Sequence, residues 1–275
     1  MLNKQFEKSE FDRPAMIFVV ADIEGNYNEF CSLLRKNKVV DKDLLWCFDD
    51  GHLVVLGDCF DRGEYVIECL QLVFSLEEQA RLNGGCVHFI LGNHEIMNLN
   101  GDWRYVHPRY ISSKAGAPPV SYYENTELWQ WLCTKNIIEI IGDILFVHAG
   151  VSMEMLSLNL SVPEINRIAR PYYTKADWLF SDPALHTIFN SNYSPFWYRG
   201  YYTATANEEL IDATLKYFNV KSIVTGHTVV DKVSSFFNGK LINVDTDHAA
   251  GKSEALLIKK NRFYRIDKDG KREKL

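Results

Sequence analysis

The sequence lacks any run of about 20 consecutive apolar residues, so no membrane-spanning helix is expected. It lacks a Cys-x-x-Cys pair as well. Its six cysteines, Cys31, Cys47, Cys59, Cys69, Cys86 and Cys133, stand singly, mostly inside apolar segments such as GGCVHFIL. That spacing argues against a thiolate zinc site and reads as small buried thiols in a reducing cytoplasm. There is no basic excess: a net charge of -6 argues against a protein that coats nucleic acid. Internal repeats, low-complexity tracts and dividing linkers are missing. The first apolar block, AMIFVVA, is too short for a secretory signal and reads as a strand.

What is there is an ordinary globular composition, 47% hydrophobic and 24% charged over 275 residues. That is enough chain for one large core. Apolar runs and amphipathic stretches alternate from residue 15. AMIFVVAD reads as a strand and NEFCSLLRKN as a helix with Phe30, Leu33 and Leu34 on one face. LLWCFDDGHLVVLGD reads as a hairpin turning at Asp50-Gly51. A helix over YVIECLQLVFSLEEQARLNGG is closed by Gly84-Gly85, and CVHFILGN is the next strand.

Residues 100–136 interrupt this rhythm. They are aromatic-rich, with a short helix expected near 126–135, and read either as an insertion packed on the core or as a cap facing substrate. IIEIIGDILFVHAGV then predicts a hairpin at Gly142-Asp143, and 163–206 reads as irregular. NEELIDATLKYFN predicts a helix, KSIVTGHT a strand, VSSFFNGKLINVDTD a hairpin at Asn238-Gly239, and ALLIKKNRFYRID two last strands. One domain is expected over 15–266, after a 1–14 extension and before a frayed, charged tail at 267–275.

Five apolar strands each end on a side chain able to bind metal beside a small or turn-forming residue. They are Asp22 in VVADIEG, Asp58 in VVLGDCFDRG, Asn93 and His94 in FILGNHE, His148 in LFVHAG, and His227 in IVTGHT. A single such residue is more often a turn, but five together point to a site at the strand ends. Carboxylates, an amide and imidazoles suit Mn, Fe or Zn. A carboxylate able to bridge two ions suits phosphoester hydrolysis.

GDCFDRG (57–63), GNHE (92–95), HAG and GH, in that order, resemble the calcineurin-like metallophosphoesterases of the phosphoprotein phosphatase type. ILGNHEIMNLNGDWRYV and SPFWYRG are similar in particular to the Shewanella-like phosphatase branch. The resemblance implies an α/β fold, a β-sandwich of mixed sheets flanked by helices. It implies two divalent ions, with Mn or Fe favoured and Mg or Zn as alternatives. Asp22 and Asp58 would hold the first, Asp58 would bridge, and Asn93, His148 and His227 would complete the second. His94 would be the general acid, oriented by Asp61. Arg62 and Arg199 would clamp phosphate bidentately; Arg104 is a third candidate, or a structural salt bridge.

The implied activity is hydrolysis of phosphomonoesters, phosphoproteins included, by a hydroxide bridging two metals. Alternatives are a dinucleoside polyphosphate hydrolase, and a metal- or phosphate-binding protein with impaired turnover. The last arises because Glu24 stands where the family's first motif has histidine. Glu24 is expected to ligate the first metal, the alternative being a salt bridge to a nearby Lys or Arg. Expected partners are phosphorylated substrates, with neither nucleic acid nor membrane.

Overall fold

The computed structural model describes residues 7–111, 126–175, 180–203, 206 and 208–275. Strand β1 is Glu10–Phe11 and β2 is Met16–Val20, followed by helix α1, Tyr27–Lys36. Then come β3, His52–Val55; α2, Val66–Leu82; β4, Cys86–Phe89; and α3, Asn93–Asn100. After α4, Glu127–Leu132, β5 is Ile138–Ile141 and β6 Ile144–Val147. Helices α5, Met153–Ser157, α6, Val162–Ala169, α7, Pro183–Phe189, and α8, Glu208–Phe218, precede β7, Ser222–Thr225. The chain closes with β8, Ser234–Phe236; β9, Leu241–Asn243; β10, Ala255–Lys259; β11, Arg262–Ile266; and β12, Arg272–Lys274.

The strands form two six-stranded mixed sheets, ordered β12-β11-β10-β2-β3-β4 and β1-β5-β6-β7-β9-β8. Side-chain alternation with period two explains how they pack. Ile17, Val19, Val54 and Leu256 of one sheet share a buried cluster with Ile144, Phe146, Val224 and Ile242 of the other. The intervening residues, including Phe18, Val20, Leu53, Val55, Leu145 and Ile223, join Phe30, Leu33 and Leu76 of the helices in a second cluster. These strands are buried on both faces, which is why they read as continuous apolar runs.

The structure corrects several expectations. The segment 44–58 is not a hairpin: β3 runs parallel to β2 and β4, and only a single Val40–Trp46 bridge precedes it. A strand with two faces to bury takes the middle of a sheet, and the α1 crossover returns it parallel. Residues 163–206 are not simply irregular, since α6 starts on the Ser161–Glu164 capping pair and α7 on Asp182 with Pro183 in its first turn. The tail is not frayed, because β12 pairs antiparallel with β11 although its side chains are exposed. β1, expected to precede the domain, pairs parallel with β5. Both hairpins at Gly142-Asp143 and Asn238-Gly239 are present. Cys47 is exposed, whereas Cys31, Cys59 and Cys69 are buried; all six thiols are free.

Of the 100–136 segment, 112–125 lie outside the described residues. Of its flanks, Trp131 and Leu132 are buried in the core, while Asp102, Arg104 and Tyr105 line a cleft. Among the described residues no helix is long and apolar enough to cross a membrane.

Candidate active site

The parallel strands β2, β3 and β4 of one sheet and β6, β7 and β9 of the other end at one edge of the sandwich. There the loops that follow them meet. The turns are tight: Asp22, Glu24, Asp58, Asp61, Arg62 and His227 all have positive φ, from 47° to 69°. Such backbone is unfavourable for residues with a side chain and persists where the surroundings over-determine it. Here hydrogen bonds do so. Asp22 N–H donates to Gly57 O (3.0 Å) and Glu24 N–H to Asp58 O (2.9 Å).

Glu95 is the hub of these loops. It is fully buried, and its Oε2 accepts from the N–H groups of Asp58 (2.8 Å) and Gly92 (2.7 Å). Its Oε1 accepts from Cys59 (2.7 Å) and Phe60 (3.3 Å). Burial and the neighbouring Asp58 raise its pKa to about 7. GDCFDRG and GNHE are thereby bolted together, so that GNHE's glutamate organises the site without facing the cleft. Gly92 is required for the fit, since a Cβ there would lie 2.3 Å from Asp58 Oδ1.

Asp58 sits at the centre. Its Oδ1 accepts from His94 N–H (2.9 Å), while Oδ2 lies 3.2 Å from His148 Nε2 and 3.9 Å from His94 Nε2. Burial opposes its ionisation, but His148 and His94 outweigh burial and hold its pKa well below the usual carboxylate range. Asn93 Oδ1 lies 3.1 Å from His148 Nε2. His148 Nδ1 donates to Leu56 O (2.8 Å), which leaves Nε2 turned toward Asp58. His227 Nε2 is buried without a partner among the described residues. Burial and His148 push the His227 pKa down, favouring the neutral, ligating form.

Oxygen and nitrogen donors of Asp58, His148 and His227 lie within 4.8 Å of one another, as do those of Glu24, Asp58 and His94. Asp22 Oδ2 accepts from His227 N–H (3.0 Å). Burial, then Asp245 and Asp58, push its pKa well up. A buried acid that resists ionisation, Asp22, beside the orphaned His227 Nε2 makes an environment that a divalent cation satisfies. The donors fit such ions, with carboxylate, amide and imidazole present and no thiolate.

Of the remaining expected residues, His94 Nδ1 lies 2.6 Å from Asp61 Oδ2, and Asn98 donates to the other Asp61 oxygen (2.9 Å). Burial lowers the His94 pKa, but Asp58 and Asp61 outweigh it and raise it. Arg62 is ion-paired with Glu24 and lies over the Tyr105 ring (5.7 Å). Arg199 donates to His227 O (2.9 Å) and Thr228 Oγ1 (3.1 Å). Arg104 is bound in a two-pronged pair to Asp102 at the rim. Asp22, Glu24, Asp58, Arg62, Asn93, His94, Arg104, Arg199 and His227 line one cleft of about 720 Å³, with Trp197, Phe189 and Val229 on its walls.

The five strand-end motifs, the two-sheet frame and this donor set converge on one family, and a calcineurin-like phosphoesterase model matches residues 15–231. The chain belongs to the calcineurin-like phosphoesterase family. Among solved structures, the cold-active protein-tyrosine phosphatase of a psychrophilic Shewanella species superposes with a TM-score of 0.94 at 40% identity, covering 99% of this chain and 83% of that one. Shewanella-like protein phosphatase 1 of Plasmodium berghei is 28% identical, over 84% of this chain and 66% of that protein. Shewanella-like protein phosphatase 2 of Arabidopsis thaliana is 22% identical, over 90% and 75%. This calcineurin-like phosphoesterase is therefore a metal-dependent phosphatase of the α/β, two-sheet type.

Two residues in the cleft escaped the sequence reading. Asp245 follows β9, is almost wholly buried and lines the cleft. Burial and Asp58 push its pKa to about 7, against the pull of His148. The signal was available, because LINVDTD is another apolar strand ending on a carboxylate. Tyr105, which stands 5.3 Å from the His94 ring and carries Arg62, had no comparable signal.

Proposed function

We propose that the cleft hydrolyses phosphomonoesters, protein phosphotyrosine foremost, with Asp58 at the centre of a dinuclear site. The observation that carries this reading is the position of Asp58, which meets His148 and His94 and shares donor spacing with His227. Asp22 and Asp58 would hold one ion; Glu24, the third ligand expected from the sequence, is ion-paired with Arg62. Asp58, Asn93, His148 and His227 would hold the other, with Mn or Fe favoured. Bound there, two divalent ions supply an acidified water and charge neutralisation for phosphoryl oxygens.

The chain's own residues do the rest. Arg62, at the open side of the cleft, and Arg199, tied to the His227 loop, present guanidinium groups to phosphate oxygens. His94, kept protonated by Asp61 and Asp58, gives its Nε2 proton to the leaving oxygen. Phe189, Trp197 and Tyr105 offer aromatic walls to a phosphoaryl group. The tyrosine preference is supported by the 40%-identical tyrosine phosphatase fold. The dinucleoside polyphosphate reading is weaker, since phosphatase relatives span most of the chain. The impaired-turnover reading is disfavoured by the intact His94–Asp61 pair. Six free thiols support a reducing, cytoplasmic setting.

The test is metal-stripped protein re-supplied singly with Mn, Fe, Zn or Mg, then assayed on phosphotyrosyl and phosphoseryl peptides and diadenosine tetraphosphate. Restored, phosphotyrosyl-preferring activity is expected. Full activity after exhaustive chelation, with metal content checked by elemental analysis, would sink the reading.

A further inference from the structure

Asp22, Asp58 and Asp245 line the same cleft, and among the described residues Asp58 is the one of the three with histidine ring nitrogens beside its carboxylate. Asp58 has His148 and His94. Asp22 has the His227 N–H. Asp245 is 2% exposed and faces the cleft, yet no hydrogen bond reaches its carboxylate among the described residues. A buried carboxylate without a donor is costly unless a cation meets it.

Glu24 is engaged elsewhere. Its carboxylate is paired with the Arg62 guanidinium, which also lies over Tyr105. The donor group that includes Glu24 and Asp58 has His94 as its third member. His94 is held by Asp61 as a proton donor, so that group is not a ligand set by itself.

We infer that Asp245 is a protein ligand of the first metal ion, with Asp22 and Asp58, and that Glu24 instead holds Arg62 in position for phosphate. The inference rests on the dinuclear reading above. The carboxylates of Asp22, Asp58 and Asp245 do not all lie within 4.8 Å of one another here, so sharing the ion requires side-chain rotation. In place of the family's histidine the first ion then meets a third oxygen donor from the loop after β9. An all-carboxylate set favours Mn or Mg over Zn at that position.

The test is Mn binding to the full chain by titration calorimetry, with bound metal counted by elemental analysis, in wild type, Asp245→Asn, Asp245→His and Glu24→Gln. Wild type should bind two ions. Asp245→Asn should keep one and weaken the other by at least the roughly 10–100-fold that losing an outer hydrogen-bond partner costs. Asp245→His should keep two and turn the weakened site toward zinc. Glu24→Gln should bind both ions with wild-type affinity but bind inorganic phosphate less tightly.

Unchanged affinity at both sites in Asp245→Asn would overturn the assignment, and so would loss of an ion from Glu24→Gln. Loss of an ion from both Asp245 variants with a lowered melting temperature would make Asp245 a packing residue and overturn it too. A wild type that binds no second ion fails the dinuclear reading itself, a result distinct from these.

Discussion

His94 Nδ1 and Asp61 Oδ2 lie 2.6 Å apart, with both side chains buried. Asn98 grips the second Asp61 oxygen, so the carboxylate cannot swing away from the ring. The imidazole is thus fixed with Nε2 toward Asp58. For His94→Ala, turnover should fall by about 10²–10⁴-fold, the span for a lost general acid. The fall should shrink with good leaving groups, which need little protonation. Equal losses with nitrophenolate and alkyl alcohol leaving groups would contradict this role.

The same pair predicts a pH effect. The His94 pKa is raised, so the protonated donor is present below the raised value and is lost as pH rises through it. Activity on phosphoalkyl substrates should therefore decline on an alkaline limb. Asp61→Asn removes part of the stabilising charge and should move that limb toward acid. A limb that stays in place in this variant would show that Asp61 does not sustain the proton.

Arg62 keeps its charge in Arg62→Lys but loses the planar fork. Affinity for inorganic phosphate should fall markedly, with metal stoichiometry unchanged. Wild-type phosphate inhibition in this variant would remove Arg62 from the phosphate site.

Far from the cleft, His88 Nδ1 lies 2.6 Å from Glu139 Oε2, and its Nε2 donates to His52 Nδ1 at 2.9 Å. Burial lowers the His88 pKa, but Glu139 outweighs it and lifts it to about 10 from 6.5. Burial and the His88 charge push His52 down to about 3. A raised folded pKa stabilises fully below about 6.5, and the contribution is lost as pH rises through about 10. The melting temperature should fall across that window, and His88→Gln should flatten the fall. A wild-type melting temperature that does not change across the window would rule out a charged His88.

The strand ends and their polar residues could be read from the sequence because they are local facts. An apolar run, a turn residue and a chemically capable side chain lie within a few positions of one another. Strand direction was not local. β3 is parallel because a crossover returns the chain to the middle of a sheet, and the Asp50-Gly51 turn that suggested a hairpin carries no information about that. Short helices such as α6 depend on caps and on the surface they cover more than on periodicity. Charge partnership was the least local property. Asp22 and the His227 N–H meet across 205 positions, and Asp58 and the Glu95 carboxylate across 37. Sequence alone identified Glu24 as an acid out of place. Only the folded chain, by setting Arg62 against it, decided where its charge goes.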